Sequence, residues 1–401
     1  MNPVEITKWA DKKGIAVIGS GDFQHPAYFG ELKNKLEPAE PGLFKIRKQK
    51  TKSRIMLSTE ISNIYKQGGK VRKIHTLVFM PSLDSGEKFS KKLASMGNTA
   101  ADGRPILGFS AKELVKIALD IDADAMVIPA HAWTPWFSVF GSKSGFDSLE
   151  ECFEEMTPHI KAIETGLSSD PDANRRISFL DKIAMISNSD AHSPAKIGRE
   201  ANVFDCELSY FEIKKAIQSR SLKKFLYTVE FFPEEGKYHY DGHRLCGINY
   251  HPRESIAAKN RCPVCFKPLT LGVLHRIEEL SDRPWDFKPK GAVPQKHMIP
   301  LEEIIADVKD VGVQSKKVRA EYELLLAKGG TEFEILLDLP EVELVRIAGE
   351  KTAEAIMRVR EEKVNIIPGF DGEFGKVSIF RDIEKDRAVN IQMKMFGGRD
   401  E

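Results

Sequence analysis

Residues 183–193 read IAMISNSDAHS, a short apolar run that stops abruptly in Asp190 and His192. A strand wet on one face alternates apolar with polar residues. Ile183–Ile186 does not alternate, which suits a strand buried on both faces. The same texture recurs upstream. Ile15–Ile18 runs on into Asp22 and His25, Ile55–Leu57 into Glu60, and Ala125–Ile128 into His131. His75 opens the run Thr76–Phe79, and Ile160–Ile163 leads into ETGLSS. Helical patterns fall between, at Ala111–Leu119, Leu149–Met156 and Tyr210–Ser219, and residues 3–13 read as a first helix ending at Gly14. Strands alternating with helices predict an α/β fold, with a parallel sheet or barrel and helical crossovers.

In a parallel barrel the strand ends collect at one mouth, so side chains distant in sequence converge there. Asp22, His25, Glu60, His75, His131, Asp190 and His192 are therefore the candidate cluster. Carboxylate and imidazole together are the ligand set for Zn, Mn or Fe. A lone Asp or His after a strand is more often a turn former or a helix cap. Repetition at several strand ends weakens that reading, and Asp190 with His192 is the strongest pair.

The 401 residues allow two or three domains. An apolar fraction of 41% with 30% charged residues describes a packed chain, and no run approaches a membrane span or a secretory leader. A membrane protein, a secreted disulfide scaffold and a uniformly basic nucleic-acid coat are excluded, and a cytoplasmic location is expected. The net charge of +1 conceals a segregation. Lys45, Arg47, Lys48, Lys50, Lys52, Arg54, Lys66, Lys70, Arg72 and Lys73 are opposed only by Glu60, whereas residues 301–363 hold fifteen acids against ten bases. The basic stretch is either a solvated face or a surface that tracks phosphates.

Around Pro233 the texture becomes rich in Pro, Gly, His and Cys. Three modules follow: 1–232, 233–295 and 296–401. His243, Cys246, Cys262 and Cys265 have the spacing of two zinc knuckles, one with His in place of Cys, and His251 is an alternative fourth ligand. Such a zinc site is structural. From 301 to 363 the period is helical, broken at Gly329–Gly330 and Pro340. Residues 337–360 resemble a degenerate helix-hairpin-helix, with Ile347–Ala348–Gly349 as the turn and Lys351–Thr352 near a helix N-terminus suited to a DNA phosphate. An ordinary antiparallel helix pair is the competing reading.

The motifs SNSDAHS, PAHAWTP and GSGDFQHP resemble the PHP (polymerase and histidinol phosphatase) superfamily of phosphoesterases. GHRLCGINYHPRES, RCPVCFKPLTLGVLHRIEELSDRP and PGFDGEFGKVSIF resemble the later domains of the endonuclease Q family, in order along most of the chain. The resemblance implies a distorted (β/α)7 PHP-type barrel, then the zinc-binding module and a mainly helical C-terminal domain. It implies that Glu60 bridges two ions, that His75 and His131 complete one site and that Asp190 serves its neighbour. His192 would hold a third ion with Asp22 or His25. Glu60, His131, Asp190 and His192 would carry catalysis, with Zn2+, Mg2+ or Mn2+ at the mouth and structural Zn2+ in the small module.

The activity implied is hydrolysis of DNA on the 5′ side of uracil, hypoxanthine, xanthine or an abasic site. The damaged nucleotide would be flipped into a pocket at Glu164, Thr165, Gly166, Leu167, Ser168 and Ser169, with Trp133, Trp136 and Phe137 near it. Lys45–Lys73 would line the DNA path, and GFDGEFGK (369–376) would be a DNA-contacting loop or a plain hairpin. The alternatives are a small-molecule phosphoesterase and a catalytically impaired DNA-binding protein. The superfamily opens on a strand bearing His-x-His, and no His precedes His25. Either the native protein starts upstream of Met1, or it is a variant with fewer ions. A sliding-clamp partner rests on Gln392-x2-Met395, which lacks the aromatic pair expected after it.

Overall fold

The first helix is bounded by its own sequence. In α1 (Pro3–Lys13) the Asn2 side chain accepts the Glu5 N–H at 3.0 Å, and Gly14, at φ 87°, closes the last turn. There follow β1 (Val17–Gly19), α2 (Pro26–Lys35), β2 (Leu36–Pro38) and β3 (Phe44–Ile46). A long hairpin then forms from β4 (Arg54–Gln67) and β5 (Lys70–Met80). Gly68 and Gly69 turn it, both at positive φ (60° and 74°), as a two-residue loop matched to strand twist requires. Next come α3 (Leu83–Ala94), β6 (Ile106–Leu107), α4 (Ala111–Ile121) and β7 (Met126–Pro129). The computed structural model describes residues 1–101 and 104–380.

That hairpin corrects the expected topology. β1 and β6 run parallel to β4, but β3 and β5 run antiparallel to it, and β7 is antiparallel to β5. The chain continues through α5 (Leu149–Phe153), β8 (Ala162–Glu164), α6 (Pro171–Asn174), β9 (Ala184–Ile186), β10 (Ala201–Phe204), α7 (Tyr210–Ser219) and β11 (Phe225–Glu230). β8 and β9 form a parallel pair, and β10 and β11 an antiparallel one. Among the described residues the strands thus make a mixed α/β assembly of separate sheets, not one closed parallel ring. Glu60 and His75 consequently sit inside long strands rather than at their ends.

The small module holds β12 (Asp241–His243), β13 (Ile248–Tyr250), α8 (Pro252–Ala257) and α9 (Val273–Leu280). β14 (Gln295–His297) returns to pair in parallel with β11, so residues on either side of 296 share a sheet with the first module. The helices α10 (Leu301–Lys309), α11 (Lys316–Gly329), α12 (Glu341–Ala348) and α13 (Glu350–Arg360) pack their apolar faces on Val229 and Phe232. The hairpin of β15 (Asn365–Ile367) and β16 (Lys376–Ser378) brackets the glycine-rich loop GFDGEFGK.

A large apolar core, with Phe23, Phe89, Leu114 and Trp133, lies between the main sheet and its helices. A smaller one, with Met56, Met126, Ile128, Ile186 and Phe225, floors the cavity described next. Among the described residues no helix is long and apolar enough to cross a membrane. Gln392 and Met395 lie outside them.

Candidate metal centre

Strand register assembles the first three side chains. Ser62 on β4 lies opposite His75 on β5, so Glu60, two residues away, is the diagonal neighbour of His75 on the same face. β7 pairs with β5, and the chain leaving it carries His131 back over His75, the Ala130 amide donating to the His75 carbonyl at 3.1 Å. Glu60 Oε1 then lies 2.9 Å from His75 Nδ1 and 3.2 Å from His131 Nε2. One ligand atom from each of the three falls within 4.8 Å of the other two. A carboxylate with two imidazoles is a donor set that fits Zn2+ or Mn2+.

Three of the sequence-predicted residues occupy strained backbone. Asp22 and Asp190 have φ of 40° and His131 of 30°, a region that non-glycine residues rarely adopt and that recurs at functional sites. Two of these strained turns are held from outside. The Arg199 guanidinium donates to the carbonyls of Ser189 and Asp190 at 2.8 and 3.2 Å. Glu164 Oε2 accepts the His131 amide at 2.7 Å, while its Oε1 accepts from Asn188 at 2.9 Å. Behind His131 stands Gly166, at φ 62°, where a Cβ would come within 2.7 Å of the His131 Cβ. Thr134 Oγ1 lies 3.0 Å from His131 Nδ1, which leaves Nε2 for Glu60.

The electrostatics follow from burial and pairing. Burial disfavours an ionised Glu60, yet hydrogen bonds from His131 and His75 and the charge of Arg104 hold its pKa far below the ordinary range. Burial lowers the His75 pKa. It works the same way on His131, but Glu60 reverses it and the net shift is upward. Asp22 is raised by burial and by the Glu60 charge. Glu164, buried beside these groups, is pushed up to about 7.

A cavity of about 800 Å³ opens on this cluster. Asp22, Glu60, Arg104, Asp190 and His192 line one wall, and apolar side chains such as Met56, Ile128 and Ile186 line its depth. Glu60 is the member of the trio that reaches the cavity. Asp190 Oδ1 is 3.4 Å from His192 Nε2, whose ring is 77% exposed. His25 is placed differently: its Nδ1 accepts the Tyr28 amide at 3.4 Å and caps α2. Arg104, which sequence reasoning passed over, pairs with Glu60, its Nε 2.6 Å from Oε2, and donates from Nη2 to Asp190 Oδ1 at 3.1 Å.

The other candidates are distributed as follows. Of Glu164–Ser169, only Glu164 lines the cavity. The Thr165 hydroxyl donates within the core, with Glu230 at 3.0 Å, and Ser169 donates to the Thr165 carbonyl, leaving Leu167 and Ser168 half-buried. Trp133 is buried and donates to Asn174 at 2.7 Å, Phe137 packs on the His75 ring at 4.7 Å, and Trp136 is exposed. In the basic stretch Arg54 forms a fork with Glu40 at 2.6 and 2.9 Å, Lys45 pairs with Glu37, and Arg47 donates to the Leu36 carbonyl. Lys48, Lys50 and Lys52 are exposed. Gly349 alone separates α12 from α13, and Ile347 and Ala348, expected in the turn, close α12 instead; Thr352 is buried and Lys351 Nζ lies 5.7 Å from the Phe380 ring.

In the small module His243, Cys246, Cys262 and Cys265 come together, each offering an atom within 4.8 Å of the rest. Desolvation opposes a thiolate at Cys262, but the amides of Cys265 and Val264 and the neighbouring thiols pull its pKa below the ordinary value. Three sulfurs and an imidazole fit tetrahedral zinc. His251 instead caps α8, its ring accepting the Arg253 amide while Glu254 returns to the His251 N–H at 2.8 Å.

Comparison with known proteins adds an independent line. The family model described as the MJ0043 C-terminal domain matches residues 300–363, which is the four-helix stretch α10–α13. The uncharacterized protein MJ0043 of Methanocaldococcus jannaschii is 34% identical over 256 residues, 62% of this chain but only 31% of that protein's length. The uncharacterized protein YqxK of Bacillus subtilis is 30% identical over 382 residues, covering 93% of this chain and 91% of YqxK. Among solved structures, the lesion-specific endonuclease PfuEndoQ of Pyrococcus furiosus superposes with a TM-score of 0.83 at 31% identity, over 96% of this chain and 92% of that one. Endonuclease Q in complex with a 27-mer duplex carrying an abasic lesion at its active site superposes at 0.81 and 31% identity, over 96% and 93% of the two chains.

Proposed function

The chain belongs to the endonuclease Q family, and we propose that it is a DNA endonuclease that cuts damaged strands. The finer reading is hydrolysis of the phosphodiester on the 5′ side of uracil, hypoxanthine, xanthine or an abasic site, using metal-activated water. One observation carries it: the Glu60–His75–His131 group meets an open cavity through Glu60, with Asp190 and Asp22 on the same wall. A divalent ion held by that group would supply a Lewis acid and acidify a bound water.

The protein's own groups do the positioning. Thr134 orients the His131 ring, and Glu164 holds the strained turn that carries it. Glu60 stays ionised, so it remains a ligand rather than a proton donor. Asp190 and His192 line the same wall of the cavity as Glu60, within reach of a phosphate bound there. For a flipped base, Leu167 and Ser168 are the half-buried members of the segment, while Gly166 is buried against His131 and Thr165 and Ser169 are spent on internal hydrogen bonds. Lys48, Lys50 and Lys52 supply exposed charge for the backbone of the duplex, and the α12–α13 turn offers main-chain amides. The zinc quartet would staple the small module, which carries little apolar core of its own.

The test is nicking of a uracil-containing duplex with and without Mn2+. Expected are cleavage of the lesion strand alone, dependence on the ion, and at least about a hundredfold loss in Asp190→Ala. Equal cleavage of undamaged duplex, or hydrolysis of phosphomonoesters only, would refute the reading.

A further inference from the structure

Glu60 is shared between two partners on opposite sides. Its Oε1 faces His75 and His131, while its Oε2 lies 2.6 Å from Arg104 Nε as an ion pair. The same guanidinium reaches across to Asp190 Oδ1 through Nη2 at 3.1 Å. Arg104 thus spans the two carboxylates that a second divalent ion would have to share. We infer that Arg104 is the second cation of the centre, a built-in guanidinium between Glu60 and Asp190 beside a single-ion site of Glu60, His75 and His131.

The backbone delivers it there independently of any side-chain rotamer. β6 pairs in parallel with β4, Ser62 opposite Ile106 and Asn63 opposite Leu107. Carried back two residues, that register sets Arg104 beside Glu60. The Ser62 amide donates to the Pro105 carbonyl at 3.1 Å, which pins the residue following Arg104 to the same strand. Arginine suits the position. Its charge is permanent, and its planar fork satisfies two carboxylates at once, which an ammonium does as a point charge only. The Arg104 side chain is 29% exposed and the Glu60 side chain 14%, so the pair is less screened than a surface ion pair.

In two-ion phosphodiester chemistry the second ion neutralises charge on the phosphate oxygens, and a guanidinium serves that role elsewhere in phosphoryl transfer. Arg104 lines the cavity with its Nη1 engaged by neither carboxylate, so it can present that group to a non-bridging oxygen while holding both acids in place.

The inference rests on the metal-dependent reading above, but its readout is ion stoichiometry and needs no nicking activity. The full chain, its thiolate zinc retained and the cavity stripped by mild chelation, is titrated with Mn2+ and followed by calorimetry and electron paramagnetic resonance. Wild type is expected to take one Mn2+ at the cavity with a mononuclear spectrum. Arg104→Gln is expected to take two with a spin-coupled spectrum, and Arg104→Lys, which keeps a cation, to stay at one. A coupled pair in wild type would overturn the assignment, even if Arg104→Gln fails to fold. A folded Arg104→Gln protein that takes one ion or none would overturn it as well.

Discussion

Lys13 and Glu332 are each 1% exposed, and their charges meet at 2.6 Å where the end of α1 packs on the segment between α11 and α12. Glu332 is fully engaged: Oε1 accepts the Leu301 amide at 3.1 Å and Oε2 the Tyr322 hydroxyl at 2.7 Å. The ammonium also lies 5.8 Å from the Trp9 ring and 5.6 Å from that of Tyr322. Gly14 follows at once, where a Cβ would meet Thr331 Oγ1 at 2.6 Å, so nothing bulky can wedge this contact open. Removing two such ions from water costs several kcal/mol each, and their attraction roughly offsets it. The pair as a whole therefore adds little net stability, whereas losing one member leaves a bare buried charge.

Lys13→Met should consequently cost about 3–5 kcal/mol, and Glu332→Gln a similar amount. The double variant should lie within about 2 kcal/mol of wild type, because no uncompensated charge remains. Against a total stability of about 5–15 kcal/mol, either single change is severe. Urea unfolding followed by tryptophan fluorescence measures it directly, since Trp9 stacks on Tyr322 at 6.5 Å and reports on this contact. Single-variant costs that simply add in the double variant, or a Lys13→Met protein within about 1 kcal/mol of wild type, would refute the reasoning. The effect should also reach the cavity, because α1 leads through β1 to Asp22.

His297 pairs with Glu362 at 2.9 Å and Asp170 at 3.4 Å; burial opposes its charge, but the two acids raise its pKa to about 10. Because the folded value is the higher one, its contribution is complete below about 6.5 and is lost as pH rises toward 10. Urea midpoints should fall by the equivalent of at most about 3 kcal/mol between pH 6.5 and 9 in wild type, and this slope should vanish in His297→Gln. Cys262→Ser should abolish zinc retention in elemental analysis and expose residues 233–295 to proteolysis, with the main sheet still folded by circular dichroism. Gly166→Ala meets both a positive φ and the His131 Cβ, and it should cost more than about 1 kcal/mol in thermal unfolding and weaken Mn2+ binding.

The features legible from sequence are those settled within a few residues. Asn2 and Gly14 bound α1 because caps are local, and α7 runs over the stretch its period marks. Cys262 and Cys265 announce a candidate metal turn by spacing alone, although only the pairing of β12 with β13 beside α8 brings His243 rather than His251 to the three thiols. What was misread depends on strand register. Gly68–Gly69 between two strand-like runs is a hairpin signal, and the hairpin makes Glu60 and His75 diagonal neighbours inside an antiparallel pair rather than strand ends in a parallel ring. Asp190 shows the opposite case, a residue that follows its strand as the sequence pattern predicts, with a strained φ that no pattern reveals. Arg104 carries no local signal at all, since it is one more cation before a two-residue strand. Its meaning comes from one register, Ser62 opposite Ile106, which puts a permanent positive charge against the carboxylate that the His pair also claims. Strand ends offer acids and imidazoles as candidates, but the cation that divides Glu60 between two partners emerges only from knowing which residue lies across from which.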